Sequence, residues 1–284
     1  MEKMIRLKDG TMMPKLGQGT WYMGERKNLR QEEINALRQG IDMGMTLIDT
    51  AEMYGEGLSE ELVGEAIRGY HREDLFLVSK VYPHNAGRKN IFASCRSSLE
   101  RLGSTYLDLY LLHWRGGVHL KETVQCMEEL KAEGLIRNWG VSNFDTDDMH
   151  ELLSVPHGDQ CVVNQVLYHL DSRGIEYDLL PFMKTKEIAV MAYCPMAHDL
   201  KSRRRISENS AVREISLKHK ITPEQLMLAF LMAQDSVCPI PKASKREHVE
   251  ENAETLKISL TSDDLAVLES HFPRPNRKTP LDML

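Results

Sequence analysis

Four residues of the types that move protons follow short hydrophobic runs in the first half of the sequence. The run that starts at Met45 ends on Asp49, and Tyr54 lies in the loop after it. Two further hydrophobic runs end on Lys80 and on His113. Because buried lysine and histidine are uncommon unless they are paired, we predict that these four side chains meet at one rim of a hydrophobic core and form a proton-transfer set.

Each member of this set has a chemical role that its neighbours would tune. The Lys80 ammonium beside Tyr54 would favour the phenolate, so we expect it to lower the tyrosine pKa. Asp49 would hold and neutralise Lys80, and His113 would orient a substrate oxygen or shuttle a proton. Taken alone, Asp49 could equally be a helix N-cap. The repetition of the pattern at three strand ends favours the chemical interpretation.

Short apolar strands and amphipathic helices alternate along the chain and would bring these strand ends together. We count eight strand–helix units in the 284 residues, a length typical of one barrel of roughly 250 residues. Asp9-Gly10 between two apolar runs predicts a hairpin from Met4 to Pro14, and Thr261 to Ser270 is predicted as a final helix. The predicted fold is a single α/β domain over residues 1–284. It is a (β/α)8 TIM barrel with an N-terminal β-hairpin and an extra C-terminal helix, and its site lies at the carboxyl rim of the strands.

Local signals set several predicted boundaries. Ser59 is expected to cap a helix, and Gly103 is expected to end the helix Ile91 to Leu102. Thr222, followed by a proline, predicts the start of another helix. Gln160 to Val163 is predicted as strand six.

Polar or aromatic side chains are predicted at the rim after strands five, six and seven. Ser142 and Asn143 could hydrogen-bond an amide ligand or simply cap the next helix. Asn164 and Gln165 offer paired donors and acceptors. Tyr193 could stack on a flat ring, although it could also be a core tyrosine.

Two charged segments lie in predicted loops. The helical pattern lapses between Met196 and Asn209, where Lys201 to Arg205 is either a solvated charge run or a clamp over phosphates. The segment from Pro241 to His248 precedes a predicted helix. It is placed where barrel enzymes commonly bind phosphate, on the last loops and a helix N-terminus.

Eight short motifs occur in order at the predicted strand ends: Gly17-Gln18-Gly19-Thr20-Trp21, Ile48-Asp49-Thr50-Ala51 with Tyr54-Gly55, Ser79-Lys80-Val81, Leu111-Leu112-His113-Trp114, Gly140-Val141-Ser142-Asn143-Phe144, Asn164-Gln165-Val166, Ala192-Tyr193-Cys194-Pro195 and Ile240-Pro241-Lys242. Through these motifs the whole chain resembles the aldo-keto reductase family. Trp21-Tyr22-Met23-Gly24, His113-Trp114-Arg115-Gly116 and Arg277-Lys278-Thr279-Pro280-Leu281 make it most similar to the bacterial branch of that family that includes methylglyoxal reductases.

The resemblance implies reduction of small aldehydes or dicarbonyls, such as methylglyoxal, with hydride from a nicotinamide. The implied cofactor is NADP(H), with NAD(H) as an alternative, and Tyr54 would be the general acid. The implied catalytic residues are Asp49, Tyr54, Lys80 and His113, and the implied substrate-binding residues are Trp21, Tyr54, His113 and Trp114. The implied cofactor-binding residues are Gly19, Thr20, Trp21, Asp49, Ser142, Asn143, Gln165, Tyr193, Cys194, Pro195, Met196, Ile240, Lys242, Ala243, Ser244, His248, Glu251 and Asn252.

Three features depart from the family pattern. Cys194 stands where a serine is usual, so a phosphate contact would be lost. His248 aligns with the arginine of many NADPH-specific members and lacks its guanidinium fork, which predicts a modest preference for NADPH over NADH. The short tail predicts an open site.

Composition excludes other classes of protein. The net charge of −6 does not indicate a nucleic-acid surface. No apolar run of about 18 residues predicts a membrane span, and the N-terminus lacks a signal-peptide pattern. Five cysteines without Cys-x-x-Cys spacing fit reduced thiols in a cytoplasm. No metal-ligand spacing is present, and a monomer is expected.

Two alternatives remain open from the sequence. Lys80 at a strand end would suit a Schiff-base lyase, although Asp49 and Tyr54 would keep the lysine charged. A non-catalytic nicotinamide-binding sensor or structural subunit is the other alternative.

Overall fold

The computed structural model describes residues 3–284, and its chain opens with the predicted hairpin. Strands β1 (Met4–Arg6) and β2 (Met12–Pro14) pair antiparallel. Ile5, Leu7 and Met13 pack in one cluster with the side chains inside the barrel. The hairpin therefore closes the bottom of the barrel, as predicted.

Eight parallel strands follow and form a nearly closed barrel in chain order. Strand β3 and strand β10, the first and last of the barrel, meet where the backbone N–H of Gly19 donates to the carbonyl of Pro241 at 3.0 Å. A side chain at Gly17 would place its Cβ 2.5 Å from Leu47 Cδ2 and 3.0 Å from Ile240 Cγ2, so glycine is required for this close approach. The strands are β3 Gly17–Gly19, β4 Leu47–Asp49, β5 Phe76–Val81, β6 Leu107–Leu112, β7 Ile136–Ser142, β8 Val163–Leu167, β9 Ala189–Tyr193 and β10 Val237–Pro239.

Helices surround the barrel and cover its outer face. Gly103, with φ of 61°, ends the third helix as predicted. Thr222 and Gln225 form a reciprocal capping box at the ninth. The helices are α1 Arg30–Asp42, α2 Leu58–Ala66, α3 Ile91–Leu102, α4 Leu120–Ala132, α5 Thr146–Ser154, α6 Leu179–Thr185, α7 Leu200–Glu208, α8 Ser210–His219, α9 Pro223–Met232, α10 Arg246–Glu254 and α11 Ser262–His271.

Three predicted boundaries are wrong. The segment 196–209 is not a loop throughout, because it contains α7, whose first turn is capped by the Asp199 side chain. Strand six begins at Val163 rather than Gln160, so Asn164 and Gln165 lie within β8. Ser59 lies inside α2 instead of capping it, because its hydroxyl bonds to the Thr20 carbonyl and hydroxyl.

None of the helices formed by residues 3–284 has the length and apolar character needed to cross a membrane. The same described residues contain no group of three His, Cys, Asp or Glu side chains that could hold a metal ion.

Candidate active site

The site is built around a buried ion pair between adjacent strands. Asp49 is the last residue of β4, and Lys80 lies near the end of β5, both almost fully buried. Lys80 Nζ donates to Asp49 Oδ2 at 2.8 Å, to the Thr50 carbonyl at 2.8 Å and to Tyr54 Oη at 3.0 Å. The second carboxylate oxygen of Asp49 accepts from Gln165 Nε2 at 2.7 Å. Each hydrogen-bonding group of this buried pair thus has a partner, as buried charge requires.

Tyr54 Oη accepts a hydrogen bond from Lys80, which leaves the hydroxyl proton of Tyr54 free to point elsewhere. The predicted lowering of its pKa is wrong. Burial first, then the negative charge of Asp49, raise the pKa of Tyr54 well above 10. The phenol therefore stays protonated at neutral pH, which is the state required of a proton donor.

His113 follows β6 and packs edge-on against the Tyr54 ring, with ring centroids 5.7 Å apart. Burial and the nearby Lys80 ammonium lower the pKa of His113 well below 6.5. Its Nδ1 atom is buried and has no hydrogen-bond partner. The imidazole is therefore neutral near pH 7 and can act as a hydrogen-bond donor through one nitrogen.

A second group of polar side chains comes from the ends of β7, β8 and β9. Ser142 Oγ donates to the Gln165 carbonyl at 2.9 Å. Asn143, with φ of 60°, donates through Nδ2 to the His113 carbonyl at 3.2 Å and accepts from Tyr193 Oη at 2.8 Å. Gln165 in turn holds Asp49, so this amide-rich group is continuous with the ion pair.

Both groups open into a cavity of about 560 Å³ at the carboxyl rim. The cavity brings together three of the four predicted catalytic residues, the predicted substrate residues and most of the predicted cofactor residues. The fourth, Lys80, is fully buried behind the lining and contacts Tyr54. The predicted residues that line the cavity are Gly19, Thr20, Trp21, Asp49, Tyr54, His113, Trp114, Ser142, Asn143, Gln165, Tyr193, Cys194, Pro195, Met196, Ile240 and Lys242.

Five predicted cofactor residues lie outside the cavity lining: Ala243, Ser244, His248, Glu251 and Asn252. They follow Lys242, which lines the cavity and donates to Ser244 Oγ at 3.1 Å. His248 Nδ1 lies 3.6 Å from Glu251 Oε2 on an exposed face of α10. Asn252 is buried, and the part of these five residues in cofactor binding stays a prediction.

The cavity has walls that the sequence did not predict. Met283 and Leu284 line it although both side chains remain exposed, so the tail forms part of the wall, and the expectation of an open site stays a prediction. The tail is held there because Ser172 Oγ donates to the Asp282 carboxylate, and Lys278 Nζ lies 2.8 Å from Asp147 Oδ2. No sequence pattern signals these contacts, since each joins residues more than a hundred positions apart.

The arginine cluster on α7 divides between the cavity and the surface. Arg203 lines the cavity and donates to the carbonyls of Met196 at 3.1 Å and Ala197 at 3.2 Å. Arg204 pairs with Glu208, and Arg205 pairs with Asp171. Of the predicted clamp, only Arg203 is therefore placed to act at the site.

His198 is a further cavity residue that the sequence did not single out. Its ring stacks on Trp21 across the cavity mouth, with centroids 6.3 Å apart. Cys194, also in the lining, has a thiol whose pKa burial raises to about 11. The Cys194 thiol is therefore neutral near pH 7.

A barrel of this topology, with a buried lysine–carboxylate pair and a phenol at its carboxyl rim, defines a known class. Residues 15–272 match the aldo/keto reductase family. The chain belongs to that family.

Relatives cover the chain from end to end. It is 51% identical to methylglyoxal reductase YeaE of Escherichia coli K12, over 100% of this chain and 99% of that protein. It is 33% identical to the glyoxal reductase of Bacillus subtilis 168, over 94% and 91% of the two chains. An aldo/keto reductase of Klebsiella pneumoniae, solved with NADP and acetate, superposes with a TM-score of 0.96 at 50% identity over 100% of both chains.

Proposed function

We propose that this protein reduces small aldehydes and dicarbonyls to alcohols with hydride from NADPH. The observation that carries the proposal is the Tyr54 phenol, which accepts a hydrogen bond from the buried Lys80 ammonium and keeps its own proton free at the cavity. Relatives described as methylglyoxal and glyoxal reductases support the substrate class.

The donor set at the carboxyl rim fits a nicotinamide cofactor. Ser142, Asn143 and Gln165 supply hydroxyl and amide groups that suit a carboxamide, and Tyr193 supplies a flat ring beside them. When bound, the nicotinamide supplies the hydride. A related structure that contains NADP supports the same cofactor for this chain.

The protein's own part in the reaction is to manage the proton and the charge on oxygen. As negative charge grows on the substrate oxygen, Tyr54 hydrogen-bonds it and donates its proton. Lys80, already bonded to the phenol oxygen, stabilises the phenolate that results, and Asp49 holds Lys80 in place. Neutral His113 provides a second hydrogen bond to the same oxygen. Trp21 and Trp114 form aromatic walls for a small substrate.

The alternatives are not favoured by this geometry. A Schiff-base lyase needs a free amine, whereas Lys80 donates three hydrogen bonds and is paired with Asp49. A purely structural role leaves the protonated phenol at the cavity unexplained.

The adenine end of the cofactor is proposed to extend along Lys242, Ser244 and His248, with Glu251 and Asn252 beside them. Lys242 offers a positive charge for phosphate, and His248 provides no guanidinium fork. We therefore propose NADPH as the preferred cofactor with NADH as a weaker substitute.

The proposal also covers the domain organisation, the oligomeric state and the cellular location. Residues 1–284 act as one domain and as a monomer. The free cysteines, of which Cys95, Cys126, Cys161 and Cys238 are buried, suit a reducing cytoplasm.

The test compares wild type with Tyr54→Phe, using methylglyoxal with NADPH and NADH in parallel. We expect kcat to fall by roughly 100-fold or more in the variant, because a positioned general acid contributes about that factor. NADPH binding, followed by quenching of protein fluorescence, should be retained because the ring is kept.

Undiminished turnover in Tyr54→Phe would remove the phenol as the acid. The absence of turnover in the wild type with several small aldehydes would remove the reductase function itself. Equal kcat/KM with the two cofactors would contradict the proposed NADPH preference alone.

A further inference from the structure

Two polar side chains in the first turn of α2 pack against the outer face of the barrel, on the side opposite the Asp49–Lys80 ion pair. Both Ser59 and Glu60 are fully buried. Ser59 Oγ donates to the Thr20 hydroxyl at 2.8 Å, and the Thr50 hydroxyl donates to Ser59 Oγ at 3.2 Å. This serine therefore joins the loops after β3 and β4. The neighbouring Glu60 has no role in the proposed reaction.

Glu60 makes two contacts that bind three elements together. Its Oε1 atom accepts from Ser79 Oγ on β5 at 2.5 Å. Its Oε2 atom accepts from Arg101 Nε on α3 at 2.6 Å. A fully buried carboxylate is retained only when such partners offset the loss of hydration. Because a carboxylate here is costly to the fold, its position next to the catalytic strand calls for an explanation.

Ser79 immediately precedes Lys80 on β5. Successive side chains of a strand point to opposite faces, so Ser79 faces α2 while Lys80 faces the barrel interior. The Glu60–Ser79 bond thus fixes the strand at the residue next to the lysine. A shift of β5 at this point would move Lys80 Nζ relative to Asp49 and Tyr54.

Glu60 is also a second negative charge close to Lys80. Burial lowers the pKa of Lys80, and Asp49 and then Glu60 oppose that change. Charged or titratable groups surround the lysine and Glu60. They are Asp49 on β4, Tyr54 in the following loop, Glu60 on α2, Arg101 and Cys95 on α3, Tyr110 on β6 and His113 after β6.

We infer that Glu60 is a positioning residue for Lys80, which it serves by fixing β5 through Ser79 and by holding the lysine as an ammonium through its charge. The inference rests on the proposed reductase function, in which only a charged Lys80 stabilises the Tyr54 phenolate. It assigns Glu60 and Arg101 to the electrostatics of the site although neither lines the cavity.

The experiment measures the pH profile of kcat/KM for methylglyoxal with NADPH. Activity falls at high pH as Lys80 loses its proton. Glu60→Gln removes a negative charge and leaves Arg101 unpaired, so the high-pH limb should move down by about one pH unit. Arg101→Gln leaves Glu60 unpaired, so the limb should move up. Ser79→Ala changes no charge but releases β5 beside Lys80, so kcat should fall while the high-pH limb moves less than in Glu60→Gln.

Shifts of opposite sign in Glu60→Gln and Arg101→Gln would support the inference, because general damage to the fold moves both profiles the same way. Limbs that coincide with the wild type, or that move together, would overturn it. Should Glu60→Gln fail to fold, Glu60→Asp keeps the charge and should keep the wild-type limb, while Arg101→Gln still moves it up. Wild-type turnover is measured first, since its absence would instead refute the proposed function.

Discussion

Lys80 is a side chain at which burial and charge compete directly. Its ammonium is removed from water, which disfavours the charge, yet it donates to Asp49, Tyr54 and a backbone carbonyl. Removing one partner from such a buried pair typically costs about 3–5 kcal/mol, because the remaining charge is left uncompensated. The meeting of these residues could be predicted from their positions at strand ends. The direction in which the Tyr54 pKa shifts could not be predicted, because the sequence does not show how deeply the phenol is buried.

His169 is a second buried titratable residue, outside the catalytic centre. It accepts a hydrogen bond from the backbone N–H of Asp171 through Nδ1 at 3.2 Å. Burial, opposed by Asp282, lowers the pKa of His169 to about 4. In the unfolded chain the same side chain titrates near 6.5. Stability from this group is therefore present above about pH 6.5 and is lost as the pH falls toward 4.

We predict that His169→Asn flattens this dependence. Asparagine can accept the same backbone hydrogen bond but does not titrate. Urea unfolding at pH 7 and pH 5 should show that the wild type loses on the order of 2 kcal/mol more than the variant between the two pH values. Equal losses in both proteins would mean that His169 is protonated in the folded state at pH 5.

At the scale of elements, α7 is the part that the sequence did not predict. The helix Leu200–Glu208 contains just two apolar residues, Leu200 and Ile206, so it has no hydrophobic stripe to recognise. Its structure depends on the Asp199 cap and on Arg203, which reaches back to the carbonyls of the preceding loop. The helix Ile91–Leu102 was predicted to the residue, because its regular apolar stripe packs on the barrel and Gly103 ends it.

We predict that Arg203→Met raises the KM for NADPH about tenfold, with kcat changed much less. The substitution keeps most of the side-chain volume but removes two hydrogen bonds from a charged donor, worth about 1.5–3 kcal/mol each. The loop that carries Met196 and Ala197 along the cavity would lose its anchor. Steady-state kinetics with varied NADPH provide the measurement.

Arg204→Met is the matched control on the same helix, because Arg204 is exposed and pairs with Glu208 on the surface. It should leave the KM for NADPH unchanged. Equal effects of the two substitutions would show that general positive charge, rather than the Arg203 contacts, matters at this site.

At the scale of the whole molecule, stability and chemistry lie at opposite ends of the barrel. The hairpin closes the bottom, where Asn138 Nδ2 donates to Asp9 Oδ2 at 2.9 Å and to Thr11 Oγ1 at 3.3 Å. The proton-transfer centre lies at the carboxyl rim. The barrel and the hairpin could be predicted from strand alternation and one Asp-Gly turn. The contribution of Met283 and Leu284 to the cavity wall could not be predicted, because contacts between residues far apart in the sequence hold the tail there.

We predict that Asn138→Ala destabilises the protein by about 1–3 kcal/mol without changing kcat/KM. The substitution removes the side-chain donor that ties β7 to the hairpin and leaves Asp9 less well satisfied. Thermal unfolding followed by circular dichroism measures the first effect, and methylglyoxal reduction measures the second. A drop in kcat/KM at a temperature well below Tm would contradict this separation of the two ends.

The seam between β3 and β10 has a consequence for how the chain is made. The strand that completes the barrel, Val237–Pro239, leaves the ribosome long after Gly17–Gly19. Until it emerges, the nascent chain must carry a seven-stranded sheet with unpaired backbone groups on β3, a known template for aggregation. Asp49, Lys80 and His113 can assemble during this interval, whereas the lysine-bearing loop after β10 cannot. Synthesis from the N-terminus thus lets the catalytic half form first and makes closure of the barrel the vulnerable late step.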